Sequence, residues 1–155
     1  QIDRLILKLP IVGPLQEKTN LTNIARTLSL LVETGLPLVE ALDIVAEVAG
    51  NSLFREAIKA AARGVEKGRS LSEMLSLSGE IIPPIFYQMV AVGEGTGNLD
   101  EALAKVATYF KSETEAAVKG LTAAIEPIIM IILGLGVGFL VIAVIMPIYN
   151  LTSQF

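Results

Sequence analysis

The sequence predicts an all-α fold, a six-helix cytoplasmic bundle whose last helix continues into a single C-terminal transmembrane helix. Three observations lead there. The 155 residues are 52% hydrophobic but only 5% aromatic, so the apolar mass is Leu, Ile, Val and Ala, which suits helices better than a sandwich or barrel. Apolar residues recur at three- and four-residue spacing between Gly, Pro and Asn, the period of an amphipathic helix. From Pro127 to Phe155 no side chain is charged, an excess that needs a membrane to accommodate it.

A chain this long holds one ordinary domain plus one further element. The division read from composition is a juxtamembrane segment at 1–14, a six-helix domain at 15–119, the transmembrane helix at 120–149 and an external tail at 150–155. The first residue is Gln, not Met, which reads as a piece cut from a longer protein, and no secretory signal peptide is legible there. Ile2 to Pro14 sets Arg4 and Lys8 among Leu5, Ile6, Leu7, Leu9 and Ile11, a mix suited to a membrane surface. Gly13 and Pro14 are expected to break the chain before the first helix.

The first helix is expected from about Glu17 to Thr34, with Leu21, Ile24, Ala25, Leu28, Leu31 and Val32 on its inner face and Gly35 as its C-terminal cap. Pro37 pre-sets a second helix burying Leu38, Leu42, Val45 and Val48 and ending at Gly50. Asn51 caps a third, which buries Leu53, Phe54, Ala57, Ile58, Ala61 and Val65 and stops near Gly68. Ser70 and Glu73 have capping-box spacing ahead of a short fourth helix with Leu71, Met74 and Leu75 inward, ending by Gly79. Pro84 starts a fifth, to about Glu94, burying Ile85, Phe86, Met89 and Val90. Gly93 to Gly97 reads as the next turn, and Asn98 as the cap of a long sixth helix with Asp100 and Glu101 in its first turn. Leu99, Leu103, Val106 and Phe110 give its inner face, and Glu115 with Lys119 offers an i,i+4 pair beyond it.

Nothing breaks the chain between Phe110 and the membrane run, so the sixth helix is expected to enter the bilayer directly. Ile128 to Met146, apolar apart from its glycines, covers about 28 Å at 1.5 Å per residue, close to the hydrocarbon thickness. All 12 Lys and Arg precede it, which places the body in the cytoplasm and the tail outside. Tyr149 stands where an interfacial aromatic belongs, and Pro147 is expected to close the helix. Gly134 and Gly138, with Gly136 between them, have the spacing that lets a second membrane helix approach, and also the frequency ordinary in membrane helices. Glu126 beside Pro127 reads as a residue packed or hydrogen-bonded at the interface, since one carboxylate makes no proton relay.

Composition closes off most catalytic chemistry. There is no Cys and no His, which removes thiol nucleophiles, imidazole bases and nearly every zinc site, so no catalytic residue, metal or cofactor is expected. A net charge of -4 with few aromatics is not the footprint of a nucleic-acid binder. Gly93, Glu94, Gly95, Gly97 and Asn98 look at first like a phosphate loop, but they follow a helix, lack the P-loop Lys, and carry an acid that would repel an anion. A tight turn needing positive φ is the better account of the glycines. Arg55, Lys59, Arg63 and Lys67 form a basic stripe on the third helix, while Glu40, Asp43 and Glu47 form an acidic one on the second. The two stripes either zip to each other or leave the basic one to dock a charged partner or anionic lipid.

Several blocks in order carry a family resemblance: K-L-P-I-V-G-P-L at Lys8 to Leu15, A-R-T-L-S-L-L-V-E-T-G-L-P-L at Ala25 to Leu38, A-V-G-E-G-T-G-N-L-D at Ala91 to Asp100, I-E-P-I at Ile125 to Ile128 and M-P-I-Y-N-L at Met146 to Leu151. Together they resemble the C-terminal half of the inner-membrane platform proteins of type II secretion and type IV pilus systems, the GspF/PilC family. The resemblance implies the second copy of a repeated six-helix cytoplasmic domain with the last membrane helix, and a non-enzymatic, homo-oligomeric platform in the bacterial inner membrane. It further implies partners: a cytoplasmic hexameric ATPase, other inner-membrane assembly proteins, and the pilin or pseudopilin subunits extracted from the lipid. The glycine block and Glu126 fall on family motifs and are the expected assembly contacts. The rival reading, a membrane-anchored enzyme or transporter subunit using Asp and Glu alone, would need paired carboxylates on an apolar face or polar residues along the span, and the sequence has neither.

Overall fold

Three glycines set the joints of the chain. Gly35, Gly68 and Gly97 all have positive φ, at 83°, 86° and 72°, a region where a side chain would crowd the following carbonyl. After Gly35 the Leu36 N–H donates to Leu31 O at 3.2 Å while the Gly35 N–H donates to Val32 O at 2.9 Å, a Schellman closure. The computed structural model describes residues 12–152. Residues 1–11, read above as a membrane-surface segment, and the last three of the tail lie outside the described residues.

Among the described residues the architecture is six helices and no strand: α1 Val12–Glu33, α2 Leu38–Val48, α3 Ser52–Glu66, α4 Leu71–Ser76, α5 Pro84–Thr96 and α6 Leu99–Thr152. α1 starts earlier than expected. Gly13 and Pro14 lie in its first turn, where the N–H that proline lacks would have no intrahelical acceptor anyway. Leu21, Ile24, Ala25 and Leu28 are buried, while Leu31 and Val32 are half-buried against the core. In α2 the inner face is Ala41, Leu42, Val45 and Ala46, and Val48 is 64% exposed rather than inward. Ala49, already extended, turns in instead as the backbone leaves the helix.

Asn51 caps α3 as expected, its Oδ1 accepting from the Leu53 N–H at 2.8 Å. Phe54, Ala57, Ile58 and Ala61 face inward, with Leu53 and Val65 half-buried. α4 departs from a full capping box. Ser70 Oγ accepts from the Glu73 N–H at 3.3 Å, but the Glu73 carboxylate binds Arg69 at 2.7 Å instead of returning to the Ser70 amide. That neighbour holds the Glu73 carboxyl below its usual range through hydrogen bonding and charge. Leu71 and Leu75 enter the core, and Met74 packs at its edge.

α5 carries Phe86 and Val90 inward, whereas Ile85 is 37% exposed. It also runs further than predicted, through Gly93, Glu94, Gly95 and Thr96, leaving Gly97 alone as the left-handed cap. Leu103, Val106 and Phe110 of α6 complete the core, with Phe110 against Phe86 at 6.0 Å between ring centres. Ser29 Oγ of α1 donates to Asp100 O at 2.8 Å, and Lys18 pairs with Glu113 at 2.9 Å, so α1 is tied to α6 at both ends of their contact.

Contacts divide the chain into two units, one ending at Glu115 and the other starting at Ala116. The first contains the core described above. The second is helix alone. Its stretch to Met146 is long and apolar enough to cross a membrane, and Ile128 to Met146 leave every large apolar side chain about half exposed or more, an apolar surface that water does not favour. The helix does not stop at Pro147 but continues to Thr152, since a proline removes one ladder bond and the flanking residues keep theirs. Glu115 lies 3.9 Å from Lys111, not paired with Lys119.

Candidate interaction site

The glycine block Ala91 to Asp100 is not one loop but the last turn of α5, a one-residue reversal and the first turn of α6. Gly93 is buried, and a Cβ there would overlap Ala102 Cβ and come within 3.1 Å of Leu99 Cα. A hydrogen at this position lets α5 and α6 touch through their backbones. Gly97 reverses the chain, after which the Asn98 N–H donates to Gly93 O at 3.0 Å and Asn98 O accepts the Ala102 N–H at 3.1 Å. Gly95 faces open space.

Glu94 has a role that its sequence position did not suggest. Its carboxylate accepts from the Leu71 N–H at 2.5 Å, the Ser72 N–H at 3.0 Å and Ser72 Oγ at 2.6 Å. A side chain from the end of α5 therefore caps the start of α4, where open amides and the helix dipole favour a negative charge. No local pattern announces this, because the partners are over twenty residues apart. An acid four residues before Asn98 with no base nearby was the only available clue.

Outside this turn, Met89, Val92, Gly93 and Ala102, together with Thr96, Asn98, Glu101 and Lys105, line a groove of about 340 Å³. It is mostly apolar, and of the predicted site residues only Gly93 and Asn98 line it. The basic stripe lies elsewhere. Lys59 pairs with Glu47 at 2.7 Å, joining the two stripes, and Lys59 holds the Glu47 carboxyl below its usual range. Arg55 donates to Ala46 O at 3.3 Å and Ala49 O at 3.5 Å, satisfying carbonyls at the end of α2. Arg63 and Lys67 remain at the surface. In the second unit Gly134 and Gly138 have open space where a Cβ would sit, and Glu126 is exposed. Among the described residues no group of three metal-ligating side chains converges.

A helical bundle whose last helix runs on into a stretch long and apolar enough to cross a membrane defines the class: a helical domain with one candidate membrane span among the described residues. Comparison with known proteins makes the class specific: the model of the family described as type II secretion system (T2SS), protein F matches residues 24–147, and the chain belongs to that family. The type IV pilus assembly protein PilC of Thermus thermophilus is 43% identical over 97% of this chain and 37% of its own length. PilC of Pseudomonas aeruginosa is 42% identical over 97% of this chain and 40% of its own. The type II secretion system protein F of Pseudomonas aeruginosa is 37% identical over 96% and 36%. The chain thus spans about two-fifths of the length of these curated relatives.

Proposed function

We propose that the chain is the membrane-anchored half of an inner-membrane platform that serves a type II secretion or type IV pilus assembly system. In this reading it is a scaffold and not an enzyme. The six-helix domain, ending near residue 119, faces the cytoplasm, and the tail after the span faces outward, because every Lys and Arg precedes the span. There the domain receives force from a cytoplasmic hexameric ATPase and passes it, with other inner-membrane assembly proteins, to pilin or pseudopilin subunits leaving the bilayer. The observation that carries the reading is the alignment of 96–97% of the chain with proteins named for both pilus assembly and secretion. The site supports it by what it contains: a mostly apolar groove and helix-end contacts, suited to holding proteins.

The test is co-purification. Solubilised in mild detergent, the protein should bring down a cytoplasmic assembly ATPase of the same cells, and cells lacking the protein should lose surface pili or secreted substrate. Retention of both pili and secretion in the deletion strain would overturn the proposal.

A further inference from the structure

Glu17, in the second turn of α1, lines two clefts at one end of the bundle. The first, of about 220 Å³, is lined also by Leu21, Pro83, Ile85, Tyr109 and Phe110, and by Lys18 and Glu113. The second, of about 170 Å³, adds Leu53, Phe54 and Ile81 and a further acid, Glu80. Among the described residues Lys18 pairs with Glu113 at 2.9 Å, whereas Glu17 and Glu80 have neither a hydrogen bond nor an ion pair. Two unpaired carboxylates are thus set among mostly apolar walls. Burial outweighs the nearby Lys18 and raises the Glu17 carboxyl above its usual range. A carboxylate in that setting lacks a partner to offset its lost hydration.

The lining defines the chemistry of that partner. An anion meets net negative charge. A neutral polar group meets few side-chain donors, only the Lys18 ammonium, already engaged, and the Tyr109 hydroxyl. A cation on an apolar stem meets carboxylate, aliphatic wall and aromatic ring together. Tyr109 is 42% exposed and stands edge-on to Phe110 at 5.1 Å, so a ring lining the cleft is still open for a cation to lie against. Size narrows the choice. Each cleft is smaller than the ~300–1,000 Å³ of small-molecule and cofactor sites and suits one side chain. Arginine fits better than lysine, because its planar guanidinium forks across carboxylate oxygens and stacks on rings. Arginine is also among the residues that most often anchor protein contacts. We infer that the cleft at Glu17 takes up an arginine side chain presented by a different protein. Only the existence of a protein partner rests on the platform reading, and the test needs neither pili nor secretion.

The probe is the peptide acetyl-Leu-Arg-Leu-amide, with its citrulline counterpart as the neutral isostere. Each is titrated into the detergent-solubilised chain, followed by NMR of carbon-13 in Glu and Tyr side chains. The arginine peptide should shift the Tyr109 ring and the Glu17 carboxyl saturably and lower the pH at which Glu17 titrates. The citrulline peptide should bind at least several-fold more weakly. Glu17→Gln, which keeps the shape of the side chain, should abolish the preference for arginine, and Tyr109→Leu should weaken the arginine peptide several-fold. Equal binding of the two peptides, a preference that survives Glu17→Gln, or shifts confined to the acidic stripe at Glu40 and Asp43 would overturn the inference. So would a Glu17 that titrates below its usual range before any peptide is added, because a cation of this chain would then already fill the cleft.

Discussion

Removing the Glu94 carboxylate strands two amides. Without it the Leu71 and Ser72 N–H groups lose their acceptor, at about 1–3 kcal/mol for buried or half-buried donors left unsatisfied. Glu94→Ala should therefore speed hydrogen exchange at Leu71 and Ser72 while amides of α2, such as Leu42, keep their protection. The two helical glycines beside it separate a packing role from a neutral one. Gly93→Ala drives a methyl into Ala102 and should cost about 1–3 kcal/mol in thermal or denaturant unfolding. Gly95→Ala, which meets nothing, should gain up to about 1 kcal/mol from the lower entropy of the unfolded chain. Glu17 on α1 gives a pH signature. Burial raises its carboxyl above the ordinary 4.5, against a smaller lowering by Lys18, so the folded state takes up its proton first. Stability from this group is weakest above the raised value and recovers as pH falls toward 4.5. Glu17→Gln should raise the melting temperature at pH 7, and the gain should shrink to nothing near pH 4; a gain that persists there would contradict the burial account.

At the scale of elements, the six helices were legible because their caps and periods are local. Asn51, Ser70, Pro37, Pro84 and the positive-φ glycines each mark a boundary from within a few residues, and the core positions of α1, α3 and α6 follow a 3.6-residue period. The misread helix boundaries have one source: residues taken as breakers in isolation. Gly13, Pro14, Gly93, Gly95 and Pro147 all lie inside helices, because the neighbouring turns and the packing around them outweigh a weak local preference. Arg55 on the α2 carbonyls and Glu94 on the α4 amides were not legible, since their partners are set by the fold. Gly64 of α3 belongs to the same class. A Cβ there would meet the Met74 side chain, which is flexible and can move aside. Gly64→Ala should cost less than Gly93→Ala, and the double variant with Met74→Ala should be more stable than the two single losses added together predict, as a thermal-melt double-mutant cycle would record.

For the whole molecule the governing fact is the apolar helix after Glu115. A lysine at its centre, Val137→Lys, should cost about 2.5–3.5 kcal/mol in a membrane-insertion assay, and failure of the unsubstituted segment to insert in that assay would argue against a spanning segment. The same stretch has an electrical consequence. A transmembrane voltage does work only on charge displaced through it, about 2.3 kcal/mol per unit charge per 100 mV. From Pro127 onward there is no charged side chain to displace. The field thus finds no side-chain charge to act on in this stretch, so shifting it along the membrane normal would involve no electrical work on side chains.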